Sequence, residues 1–141
     1  MTRRLAALCL AALFVLAATP ASACLPGHFT FTPGSTAVSA NDRSIADDMV
    51  AAWRARPDIR WSLSPNDQSE DSPAVKVRRA RLRGEAVREA LISRGIPAAS
   101  LEISDEAVAD TATMSGTTGF GRVWVREIEP LPAGGQPWRG C

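Results

Sequence analysis

The 141-residue sequence holds one His, three Cys and no Tyr. The single His28 stands near the start of the folded part, and no Ser/His/Asp set or phosphate-binding glycine loop accompanies it. Cys and His are too few and too scattered for a metal-ligand cluster. These absences argue against hydrolytic, nucleotide-dependent and metal-dependent chemistry, so a binding protein without cofactor or metal is expected rather than an enzyme. Charge of either sign is not in excess. Sixteen Lys+Arg face 15 Asp+Glu, which gives no overall reason to expect nucleic acid as a partner. Apolar residues form no long run outside the N-terminus.

That N-terminus reads as a removed secretory signal, residues 1–23. Arg3 and Arg4 supply a basic start, Leu5 to Ala18 an apolar stretch short of the roughly 20 residues of a membrane span, and Ala21-Ser22-Ala23 an A-x-A site. Cys9 leaves with it. Cys24 and Cys141 then begin and end the exported chain, and two readings stay open. They form a disulfide, worth about 4–5 kcal/mol by chain entropy, or Cys24 is acylated as a lipoprotein cysteine, which is the one route to the membrane. Residues 130–141 form a Pro/Gly-rich tail.

Between these ends the pattern alternates between strands and helices. Phe29-Thr30-Phe31-Thr32 and Ile59-Arg60-Trp61-Ser62-Leu63 have period two. Ser39 and Asp42 resemble a capping box ahead of Ile45, Met49, Ala52 and Trp53 at helical spacing. The polar segment 64–73 is a loop, Val75 to Ile96 is free of Pro and reads as a second helix, and Gly95-Ile96-Pro97 stops it. Leu101–Ile103 is a third strand, residues 107–119 a loop, and Arg122–Ile128 a fourth strand closing a final hairpin. The order β-α-β-α-β-β predicts a two-layer α/β (α+β) sandwich with two helices on one face of a small mixed sheet.

The second helix carries the unusual charge. With Val87 at the centre of its inner face, Ala80 and Leu91 fall within about 40° and Ala90 at about 60°. Arg83 lies about 40° and Lys76 about 20° from the same centre. Arg78, Arg79 and Arg81 crowd the same turns. Basic residues here oppose the helix dipole, and a buried Arg needs a partner. The acidic loop with Asp67, Glu70 and Asp71 pairs with these arginines or holds a ligand amine. The arrangement is then either an anion site or a basic face with Arg83 paired internally.

The order of elements and four short motifs resemble the C-terminal domain of the OmpA family, the peptidoglycan-associated fold shared with Pal lipoproteins and flagellar-motor stator proteins. The resemblance spans Phe29 to Ile128, within a domain taken as residues 24–129. Phe29-Thr30-Phe31 with Ser35 resembles the opening strand. Arg83-Gly84-Glu85-Ala86-Val87 matches the family's R-A-x-x-V, with Gly84 for Ala. Leu91-Ile92-Ser93-Arg94-Gly95-Ile96-Pro97 matches its helix end. Arg122-Val123 resembles the closing R-R-V, with Gly121 in place of the first Arg. Glu70 stands where the family has Gly, Lys76 where it has Asn, and Arg79-Ala80 where it has Leu-Ser. The resemblance implies a non-covalent periplasmic or cell-envelope domain that holds the diaminopimelate of a peptidoglycan stem. Asp67 takes the ammonium and Arg83 the carboxylate, with Lys76 and Arg79 adding positive field. The alternative is an adaptor that binds another envelope protein through the arginine-rich helix.

Overall fold

The computed structural model describes residues 27–116 and 118–128. The signal segment, Cys24, Cys141 and the 130–141 tail lie outside the described residues. Four strands, β1 (His28–Phe31), β2 (Arg60–Pro65), β3 (Leu101–Ile103) and β4 (Gly121–Ile128), form one mixed sheet in the order β1-β4-β2-β3. β4 runs antiparallel to both neighbours, and β2 and β3 are parallel. β1 and β2 are therefore parallel with β4 inserted between them. The expected closing hairpin does not form, because β3 and β4 occupy separate places and β4 joins the two halves of the sheet.

Helices α1 (Arg43–Ala55) and α2 (Pro73–Ile92) are the two crossovers. A third helix, α3 (Asp105–Asp110), corrects the two-helix expectation. Its start is local chemistry: the Ser104 hydroxyl accepts the Ala107 amide at 3.1 Å, and Asp105 and Glu106 complement the dipole in the first turn. Its one buried apolar residue, Val108, shows why the inner face made so faint a pattern.

α1 begins later than Ser39. The Ser39 hydroxyl accepts the Asp42 amide at 3.2 Å and donates to Asp42 Oδ2 at 2.9 Å, and the same oxygen accepts the Thr30 amide at 3.2 Å, which ties the helix start to β1. The inner face of α1 is Ala46, Met49 and Val50, while Ile45, Ala52 and Trp53 are half-buried at its margin. Phe29, Phe31, Trp61, Leu63 and Val123 meet this face and that of α2 (Val87, Leu91), forming the core. α2 starts at Pro73, where a missing N–H costs nothing. It ends before Gly95, whose φ of 101° is a conformation glycine adopts freely. Gly84 lets it ride close over the sheet, since a Cβ there would meet Ile103 Cγ2 and Pro65 Cγ at 3.2 Å.

Candidate functional site

α2 buries Lys76, Ala80, Arg83, Gly84, Val87 and Leu91. Its helical spacing therefore carries two cations inward, and the fold supplies each with partners. Arg83 is fully buried, with relative exposure of 0 %. Its Nε donates to the Ser35 carbonyl at 2.9 Å, Nη1 to the Asn66 carbonyl at 3.2 Å and Nη2 to the Thr32 carbonyl at 3.3 Å. Its guanidinium carbon lies 5.4 Å from the Phe31 ring centre, in the range of a cation–π contact. Nη1 also lies 3.4 Å from Asp67 Oδ2.

Asp67, likewise at 0 % exposure, is the second residue of the loop after β2. Its Oδ1 accepts the Ser69 amide at 2.9 Å and its Oδ2 accepts Arg79 Nη1 at 2.9 Å. Arg79 spreads its other arm to Asp71 Oδ2 at 2.7 Å, and Nη1 is also 3.3 Å from the Ser69 hydroxyl. Lys76 Nζ donates to the Met114 carbonyl. The fold thus gathers Asp67, Arg79 and Arg83 into one cluster and ties Lys76 to the segment before β4. Only Arg79, with its side chain 17 % exposed, joins the cluster to solvent. Glu70 is exposed.

The charges perturb one another as the distances require. Burial, opposed by Asp67 and reinforced by Arg79, lowers the Arg83 pKa from its ordinary value. The Asp71 hydrogen bond raises that of Arg79, and the same bond lowers that of Asp71.

Two glycines shape the surroundings. A Cβ on Gly121 would sit 1.7 Å from Arg83 Nη1 and 2.7 Å from the Asn66 carbonyl, so the Arg83 seat exists only because residue 121 has no side chain. A Cβ on Gly116 would lie 2.9 Å from the Gln68 carbonyl. The segment before β4 therefore lies flat on the Asp67 loop, held by Gln68 N–H to the Phe120 carbonyl at 2.9 Å and Gly119 N–H to the Gln68 carbonyl at 3.1 Å.

Most of the other arginines on α2 or just beyond its end are also engaged. Arg81 pairs with Asp105 at 2.6 Å and Arg94 with Asp47 at 3.1 Å, while Arg88 donates to the Leu101 and Ala98 carbonyls. Arg78 is exposed and makes no ion pair among the described residues. A shallow depression of about 280 Å³, lined by Glu85, Arg88, Glu89 and Ile103, shares no residue with the Asp67 cluster. Among the described residues no group of His, Cys, Asp and Glu is placed to hold a metal ion, and no helix is long and apolar enough to cross a membrane.

The sheet order and the crossovers are shared with solved structures. The peptidoglycan-associated lipoprotein from Burkholderia pseudomallei superposes with a TM-score of 0.55 at 14% identity, covering 71% of this chain and 90% of that one. The OmpA-like domain of FopA1 from Francisella tularensis subsp. tularensis SCHU S4 superposes with a TM-score of 0.53 at 8% identity, covering 72% of this chain and 74% of that one. This chain has the OmpA-like fold. No family model and no curated protein matches the sequence. Within the OmpA-like fold, Asn66, Ser69 and Gly121 are site residues that sequence reasoning missed. Gly121 alone left a trace, as the position where the resemblance to the closing motif breaks.

Proposed function

We propose that the protein is an exported cell-envelope domain that holds a peptidoglycan stem peptide non-covalently, through the cluster of Asp67, Arg79 and Arg83. What supports this most is the Asp67 carboxylate, buried yet plugged by the one cluster residue that reaches water. The fold shared with a lipoprotein named for its association with peptidoglycan supports it further. A diaminopimelate end carries an ammonium and a carboxylate on one carbon. The ammonium replaces Arg79 Nη1 on Asp67 Oδ2, and the freed Arg79 fork takes the carboxylate in two parallel bonds. Lys76 adds positive field from the same helix. Arg83 acts from behind as a positioning residue, because all three of its nitrogens are engaged with backbone carbonyls. Binding and orientation are the whole of the chemistry, with no bond made or broken.

The complete closure of Asp67 and Arg83 favours a second reading, in which the domain is an adaptor for another envelope protein. Co-sedimentation separates the two. The protein should pellet with purified diaminopimelate-type peptidoglycan and not with lysine-type peptidoglycan, whose stem lacks the second carboxylate. Pelleting should persist as salt rises, because a desolvated pair is screened little. Protein that stays in the supernatant with both walls would contradict wall binding and favour the adaptor.

A further inference from the structure

Among the described residues the helices cover one face of the sheet, and none covers the other. β4 is central, and alternation sends Arg122, Trp124 and Arg126 to the uncovered side while Val123 goes into the core. Phe120 shares that parity just ahead of the strand. Trp124 and Phe120 are 40 % and 43 % exposed, two of the three large apolar side chains so exposed among the described residues. The cross-strand neighbours on this side are small or polar: Thr30 opposite Arg122, Ser64 and His28 opposite Trp124, and Ser62 opposite Arg126. The His28 ring lies 4.7 Å from the indole, tilted by 44°, and the Arg122 guanidinium lies 5.9 Å from it.

Charge on this face is unbalanced. Arg122 and Arg126 form no ion pair among the described residues, and the acid farther along, Glu102, is taken by Arg60 at 3.2 Å. The two free guanidinium groups stand on residues roughly 13 Å apart along the strand, with the indole between them. A partner must therefore be anionic at intervals and able to lie against an aromatic ring.

We infer that the uncovered sheet face, centred on Trp124 between Arg122 and Arg126, is a binding platform for a linear anionic polysaccharide of the uronate type. Sugar carboxylates take the arginine forks. The apolar face of a pyranose ring lies against the exposed part of Trp124. Sugar hydroxyls meet Thr30, Ser62 and Ser64, which stand level around it. An extended peptide adds to a free sheet edge, and β4, paired on both sides, offers none. Single-stranded nucleic acid needs successive open aromatic platforms, whereas the one strand-borne indole here is already flanked by His28 and Arg122. This site is separate from the Asp67 cluster.

The test is isothermal titration of the full protein with tetragalacturonate, beside neutral cellotetraose and a short oligothymidylate. Tetragalacturonate should bind and weaken as salt rises, and cellotetraose should bind far less. Trp124→Ala and the double variant Arg122→Ser/Arg126→Ser should each lose roughly tenfold or more in affinity. Arg54→Ala, which removes one positive charge from exposed helix surface, should bind as wild type does. The three side chains of the platform are exposed, so these variants should unfold at the wild-type temperature. The inference is overturned if tetragalacturonate does not bind, if Trp124→Ala binds it unchanged, or if oligothymidylate binds as tightly.

Discussion

Replacing Arg83 with methionine is expected to destabilise the fold by about 3–5 kcal/mol. Methionine fills much of the same volume but bonds to none of the carbonyls of Thr32, Ser35 and Asn66 that Arg83 now satisfies. An acceptor buried without a partner costs about 1–3 kcal/mol. Asp67 keeps Arg79, so the loss is chiefly of the three strapped segments: the turn after β1, the end of β2 and α2. Lysine at the same position should recover only part of the loss, because one ammonium does not reproduce a planar fork with three separate directions. Urea unfolding monitored by circular dichroism measures both variants. A loss below about 1 kcal/mol for methionine, the range of a surface substitution, would contradict a structural role for Arg83.

Gly121→Ala is the second large effect. The backbone at Gly121 is not in the left-handed region, so the cost is steric and falls on one neighbour. The new Cβ would meet Arg83 Nη1 at 1.7 Å and Cζ at 2.5 Å. An Arg side chain in solvent would swing aside, but this one is enclosed on all sides and has no other seat. We expect a loss of roughly 3 kcal/mol or more, the scale of overpacking combined with a broken buried network. A double-mutant cycle identifies the cause. In the Arg83→Met background Gly121→Ala should cost clearly less than in wild type, the remainder coming from the Asn66 carbonyl at 2.7 Å. Equal cost in both backgrounds would show that Gly121 serves something other than the Arg83 seat.

The helical period of α2 alone puts Lys76 and Arg83 on the buried stripe, because it fixes which positions face inward. Strands with Phe, Trp, Leu or Val on alternate positions were legible for the same reason. What period does not encode is which strands pair. β4 sits between β1 and β2, far from it in sequence, and the local signal for a hairpin with β3 was only proximity. α3 is faint in the sequence because one buried Val in six residues makes no stripe; the Ser104-Asp105-Glu106 start is its readable sign. Within the site, the acidic loop and the arginines announced themselves as opposite charges near each other. Their assignment did not follow, since it depends on backbone carbonyls that every residue possesses. Asn66 contributes through its main-chain oxygen, and Gly121 through the absence of a Cβ. The resemblance to the OmpA-like domain gives the ligand carboxylate to Arg83, whereas the geometry presents Arg79 as the fork that meets water.

That difference points to the most direct measurement of the account, a calorimetric titration of the protein with a soluble stem tripeptide ending in diaminopimelate. Wild type is set beside Arg79→Gln, a change at the solvent-reaching edge of the cluster that leaves Asp67 its bonds to the Ser69 amide and its contact with Arg83. The account predicts that wild type binds and that Arg79→Gln, still folded by its melting curve, loses roughly tenfold or more, about 1.4 kcal/mol. A wild type that binds no tripeptide, or an Arg79→Gln variant that binds it equally well, would contradict the assignment of the Asp67–Arg79 pair as the wall-binding site.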